Sequence, residues 1–279
     1  MADLITAIIH TRNEEKNIRR AIESIGDLCE DILVADMNSS DQTVEIARSL
    51  GARVIDVPDV GYVEPVRSLA EQAALGEWIL RIDADEIVPK ELCDKIREVV
   101  AEGRVDVVRM CRLNFMFGKR VRGTGWQASR DRHYFLFRRG ALQEWRIENG
   151  IHGAPQPVAD ARVADIQGGE NLCVWHFNYT DWNHFIEKLN RYSSVEAREN
   201  LEKGLKPTLR FLARNLMKEV VRRGVEGRPW RDGSTGFGLL WMQLTYRILV
   251  FLKMRQNMGV GDRDSIEAIY GDLASEAHR

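Results

Sequence analysis

The sequence predicts an α/β protein: a mostly parallel central sheet with helices on both faces, followed by a helical C-terminal extension. Three observations carry that expectation. Over the first hundred residues, apolar runs of five or six residues alternate with stretches whose apolar residues recur at 3,4 spacing. The connections between them are short, as in strand–helix–strand units whose sheet is buried on both faces. Beyond residue 180 the pattern turns helical and the charge changes sign. Residues 1–180 carry 23 basic and 29 acidic side chains, whereas residues 181–258 carry 15 and 8. A catalytic or binding domain at 1–180 and a helical region at 181–279 follow as the expected division.

The elements can be justified in order. Residues 4–9 (LITAII) read as a strand that ends in the polar turn His10-Thr11-Arg12-Asn13. In residues 14–25, Ile18, Ala21, Ile22 and Ile25 mark one helical face. Residues 31–35 (DILVA) form a second strand that ends at Asp36. Ser40 or Asp41 caps a helix running to Leu50, and Gly51 closes it. A strand at 53–57, a helix at 65–75 closed by Gly76, and a strand at 77–82 (EWILRI) running directly into Asp83 complete the alternation. A helix at 91–100 and strands at 105–114 and 133–138 follow, the last two separated by a loop rich in Gly, Arg and Trp. Then come a helix with the stripe Phe185, Ile186, Leu189, Tyr192 and Val195, a second at 209–221, and an apolar window at 236–254.

Composition narrows the function. With 279 residues, 44% hydrophobic and 29% charged, the chain is globular, and its formal net charge of -2 argues against nucleic acid as partner. Cys29, Cys93, Cys111 and Cys173 lack metal-ligand spacing and read as reduced thiols of a cytoplasmic protein. No uncharged apolar stretch of about 18 residues predicts a spanning helix. No GxGxxG or GxxxxGK[ST] follows a strand, so a nucleotide here must be held by side chains and metal.

In an open parallel sheet, ligands bind beyond the carboxyl ends of the strands. There the sequence sets Thr11-Arg12-Asn13-Glu14, Asp36, and Asp83-Ala84-Asp85-Glu86. Two carboxylates one residue apart, at Asp83 and Asp85, suit Mg²⁺ or Mn²⁺, which keep coordination sites for substrate phosphates. An acidic turn capping the helix near Pro89 would show the same residues.

TxNEE after the first strand, DxNSSDxTxEIA after the second and WILRIDADE after the fourth resemble the family 2 glycosyltransferases of GT-A fold. GW…RHYFLFRRG, ENGIHG and HFNYTDWNHFIEKLNRYSSVEA extend the match, the last resembling the branch related to bacterial lipopolysaccharide-core glycosyltransferases. The resemblance implies a nucleotide-diphosphate sugar donor, usually UDP-linked, and inversion at the anomeric carbon. It further implies that Thr11, Asn13 and Glu14 line the nucleoside pocket and that Asp36 contacts base or ribose. Asp83 would lie near ribose or sugar, and Asp85 would hold the metal with Asp83 and His176. For the base on the acceptor side the candidates are Glu148, Asp131 and His152, in that order of preference for the two acids; the family often carries His-Glu where this chain has His152-Gly153.

Arg130, Arg132 and Arg138 offer bidentate phosphate clamps, and Trp126 offers a ring to stack on a sugar; solvated arginines and a packed aromatic are the alternatives. The basic and apolar segment 205–258 suits contact with an anionic membrane near a glycan or lipid-linked acceptor at the inner face of the cell membrane. A buried helical core or a homodimer would use the same residues. Two other functions fit fragments of the pattern. DADEIV imitates the DxDx[TV] motif of haloacid-dehalogenase-like phosphatases, with Asp83 as nucleophile and Asp85 as acid, and a non-catalytic scaffold could retain the fold.

Overall fold

Seven consecutive buried residues make β1 (Ile5–Thr11) an interior strand, parallel to β2 (Asp31–Asp36) on one side and to β4 (Trp78–Asp83) on the other. The structure, a computed structural model, describes residues 4–58, 66–143, 155–259, 261 and 263–277. The chain divides into two units, one of residues 1–122 and 126–180, the other of 123–125 and 181–279.

In the first unit, β3 (Arg53–Asp56) extends the parallel set beside β2. Helices α1 (Ile18–Ile25), α2 (Thr43–Ser49) and α3 (Arg67–Ala73) fill the connections. Then follow β5 (Glu86–Ile87), α4 (Lys90–Glu102), β6 (Val107–Met116), β7 (Lys119–Arg120), β8 (Arg132–Arg138), β9 (Val163–Asp165) and β10 (Cys173–Tyr179). The main path of the sheet is β3-β2-β1-β4-β8-β6-β10-β5. The sheet is mixed: β8 is antiparallel to both β4 and β6, while β10 is parallel to β6. The carboxyl ends of β1, β2, β4, β6 and β10 therefore share one edge with the start of β8.

Both faces are covered. Ile5, Ala7 and Ile9 pack with Ile18, Ile22, Ala47, Leu92 and Ile96 on one side, and Ile8, Leu33 and Ile79 with Ala70 on the other. Helix α1 begins at Ile18, the first residue of the expected apolar face and four residues after the expected start at Glu14. The Asn17 and Ile18 N–H groups donate to the Glu14 carbonyl in a turn that leads the chain away from the edge. Gly76 serves close approach: a Cβ there would lie 2.3 Å from the Leu4 carbonyl oxygen.

The expectation of four free thiols is corrected for one pair. Parallel pairing of β10 with β6 sets Cys173 in register with Cys111, their Cα atoms are 4.7 Å apart, and they form a disulfide. Cys29 and Cys93 are free and buried, and burial raises the pKa of both thiols.

The second unit holds α5 (Trp182–Glu202), α6 (Leu209–Glu219), a π-helical turn at Val220–Val225, α7 (Gly233–Gly259) and α8 (Arg263–Ala277). Asp181 and Thr208 cap α5 and α6 by accepting the His184 and Phe211 N–H groups. Buried Glu219 accepts from Arg223 at 2.9 Å and from Arg247 at 2.8 Å, and Arg247 also pairs with Glu196. An 18-residue window within residues 229–259 reaches a mean hydropathy of 1.3, enough by length and composition to cross a membrane, although the stretch is not free of charge. Within that stretch Arg247 and Lys253 are engaged by side chains of α5 and α6, which ties α7 into a helical bundle.

Candidate functional site

Two clusters stand at the carboxyl edge of the sheet. In the first, Thr11 and Asp36 are register partners and both are buried. Asp36 accepts the Ser39 N–H at 2.9 Å and the Ser39 hydroxyl at 2.6 Å. Asn13, at φ 55°, accepts the Ser40 N–H at 2.8 Å and donates its own N–H to Ser39 Oγ. That left-handed conformation is one asparagine tolerates better than most residues. Glu14 N–H donates to Thr43 Oγ1. The four residues expected to line a nucleoside pocket are thus joined, with Asp36 folding the β2–α2 turn.

The second cluster joins β4, β5, β6, β8 and β10. Asp83 ends β4 with its side chain 38% exposed, and Asp85 follows with its side chain 13% exposed. Glu86 turns inward: its carboxylate accepts the Asp83 N–H and lies 2.8 Å from Arg112 Nε, an ion pair without hydrogen-bond alignment. Arg112 also lies 3.9 Å from Asp83 and stacks over Phe135. On β10, His176 Nε2 stands 3.4 Å from Asp85 Oδ2, while Nδ1 meets Asn114 Oδ1 of β6 at 2.8 Å. The Asn114 amide nitrogen donates to Asp131 at 2.6 Å and to the Trp126 carbonyl at 3.0 Å. Asp131 completes the chain at 2.6 Å from His133 Nε2. The fold therefore brings Asp83, Asp85, Asp131 and His176 together with Glu86, which the sequence set beside the first two, through Arg112, Asn114 and His133, to which the sequence assigned no role. The only available hint was the expected strand ending at Asn114.

Burial opposes ionisation of Asp131, but the His133 hydrogen bond, the Arg112 charge and the Asn114 amide prevail and hold its pKa at about 2. Burial lowers His133 despite Asp131. Burial also pushes Glu86 up to about 7 against the pull of Arg112.

His10, in register with Asp83, is buried with neither ring nitrogen hydrogen-bonded. Burial, joined by Arg67 and Arg81 and resisted by Asp83, lowers its pKa from 6.5 to about 3. The unfolded chain then binds the proton first, so the contribution of His10 is present above 6.5 and lost as pH falls towards 3. Glu86, with its raised pKa, acts in the opposite sense, and the comparison must be differential. Between pH 7 and pH 5 the native protein is expected to lose about 2 kcal/mol relative to His10→Phe, measured by denaturant unfolding at both values. Parallel pH dependences of the two proteins would refute this.

The donors fit a hard divalent cation of the kind that takes one or two protein carboxylates and completes its shell with phosphate and water. Asp85 and His176 present oxygen and nitrogen to one point, with Asp83 at the same strand end. Among the described residues no group of three or more His, Cys, Asp or Glu is placed to hold a metal ion, so Asp85 and His176 would be the protein's two donors.

Not every expected residue joins this site. Arg138 is in register with Trp78, at the start of β4, because β8 runs antiparallel; it stacks on Trp78 and pairs with Glu77 and Asp106 at the opposite edge. This corrects its assignment as a phosphate clamp. Arg132 is turned to Asp165 and the Ile166 carbonyl. Trp126 joins through its backbone carbonyl. Glu148 and His152 lie outside the described residues.

Residues 6–154 match the family model described as glycosyl transferase family 2. An uncharacterized glycosyltransferase of Rickettsia bellii is 32% identical over 90% of this chain and 86% of its own length. The lipopolysaccharide core biosynthesis glycosyltransferase LpsC of Rhizobium meliloti is 26% identical over 94% of this chain and 96% of its own. Among solved structures, S. aureus TarS 1-349 in complex with UDP aligns over 91% of each chain with 15% identity and a TM-score of 0.45.

Proposed function

The chain belongs to glycosyltransferase family 2, and from that premise we propose a metal-dependent, inverting transfer from a nucleotide-diphosphate sugar, UDP-linked, to a glycan or lipid-linked acceptor of the cell envelope. Family membership removes the phosphatase alternative for Asp83. The observation that carries the reading is the approach of His176 Nε2 to Asp85 Oδ2, 3.4 Å apart, beside Asp83. Mg²⁺ or Mn²⁺ bound there supplies Lewis-acid neutralisation of the charge that grows on a departing diphosphate. Thr11 at the end of β1, Asn13 and Glu14 after it, and Asp36 at the end of β2 shape the nucleoside side, and Asp83 orients ribose or sugar. A carboxylate of the 131–148 region, Asp131 or Glu148, takes the acceptor proton. LpsC, by its name, supports an envelope acceptor. The test is hydrolysis of UDP-, GDP- and dTDP-sugars with and without Mn²⁺. Mn²⁺-dependent release of UDP is expected; no nucleotide released from any donor would overturn the reading and leave a scaffold.

The acceptor side includes the membrane. Arg210, Arg214, Met217, Lys218, Val221, Arg222 and Val225 share one exposed face of α6 and its π-turn. A groove of about 580 Å³ runs along part of it. Cations interleaved with apolar side chains suit anionic headgroups at the cytoplasmic face. Co-sedimentation with phosphatidylglycerol vesicles and not with phosphatidylcholine is expected. A homodimer that ignores both would assign the face to a second copy.

A further inference from the structure

We propose that Asn114 is a positioning residue that holds His176 in its Nδ1–H form and so presents the bare Nε2, beside Asp85, to a divalent cation. The proposal rests on the reading that Asp85 and His176 face that cation.

Asn114 is 1% exposed, and its amide nitrogen points to the Trp126 carbonyl at 3.0 Å and the Asp131 carboxylate at 2.6 Å. A peptide carbonyl can only accept, so the nitrogen must lie on that side and the amide oxygen on the other. The oxygen faces His176 Nδ1 at 2.8 Å. An amide oxygen also can only accept, so Nδ1 carries the hydrogen. In the neutral ring Nε2 is then a lone pair, and it lies 3.4 Å from Asp85 Oδ2. Two electron-pair donors confront each other, an arrangement that a cation between them relieves. The opposite tautomer would donate from Nε2 to Asp85 and close the position.

The contact is built into the sheet. Asn114 and His176 are register partners on β6 and β10, three residues beyond the Cys111–Cys173 pair on the same two strands. Their separation along the chain, 62 residues, equals that of the two cysteines. Asp131, held ionised, anchors the far side of the amide and prevents it from flipping.

The test uses full-length protein labelled with ¹⁵N-histidine, with His176 assigned by the resonance lost in His176→Ala, at a pH where the ring is neutral. Long-range ¹H–¹⁵N spectra are expected to show Nδ1 protonated and Nε2 bare. Asn114→Leu should populate the Nε2–H form and weaken Mn²⁺ binding, followed by electron paramagnetic resonance with Mn²⁺ alone, by about 10- to 100-fold. The native spectrum keeps the proposal open to refutation if the leucine variant does not fold. A native spectrum with His176 protonated at Nε2 overturns the proposal outright. Mn²⁺ affinity lost in Asp85→Ala and His176→Ala but unchanged in Asn114→Leu overturns it while sparing the cation reading. Affinity unchanged in the first two variants overturns the cation reading as well.

Discussion

Asp85→Ala is expected to lower sugar transfer by about 10³-fold, the rate equivalent of losing roughly 4 kcal/mol of transition-state stabilisation at the diphosphate. The fold should survive. The backbone carbonyl of Asp85 accepts the Phe177 N–H at 2.9 Å, and alanine preserves that link between the loop after β4 and β10. The side chain it loses faces His176, so the substitution removes one ligand of the proposed cation while leaving the apolar layers intact. Transfer assays and Mn²⁺ affinity should fall together, with a melting temperature close to that of the native protein. Turnover within a few-fold of native would refute the role of Asp85.

Arg112→Leu is expected to act on stability first. Burial opposes the Arg112 charge, yet Glu86, Asp131, Asp83 and Asp85 surround it and raise its pKa. Removing the cation leaves Glu86, 1% exposed at its side chain, without its ion-pair partner. Breaking a buried pair in this way costs about 3–5 kcal/mol, equivalent to a fall of roughly 6–12 °C in melting temperature for a chain of this size. The double variant Arg112→Leu/Glu86→Leu should recover part of that loss, because no unpaired carboxylate remains there. A single variant that melts with the native protein, or a double variant that adds the full cost of both changes, would refute the account.

Much of the first unit was legible because its signals are local. Apolar runs locate β1, β2 and β4, and each run stops where polar residues begin, so Thr11, Asp36 and Asp83 could be read as edge residues before any pairing was known. What could not be read depends on contacts between distant segments. Strand β5 has two residues and exists because His176 and Trp175 pair with it. The reversed direction of β8 sends Arg138 to the far edge while bringing Asp131 to the near one, and nothing in RHYFLFRRG states that direction. The cysteine pair follows from β6–β10 register, which no spacing rule conveys. Asn114 looked like the polar end of a strand, Glu86 like one more acid of the edge cluster, and Arg112 carried no expected role; only the sheet reveals that Glu86 and Arg112 face each other. The basic and apolar character of α6 was legible in composition, whereas the π-turn that continues it was not.

The doubled linkage between β6 and β10 has an evolutionary consequence. A covalent rung and a hydrogen-bonded rung, three positions apart on the same two strands, hold those strands against sliding. Insertions or deletions between residues 116 and 173 must then be absorbed within that excursion instead of by strand slippage. Lineages can thereby vary the loops of that excursion while the pairing of Asn114 with His176 keeps its register.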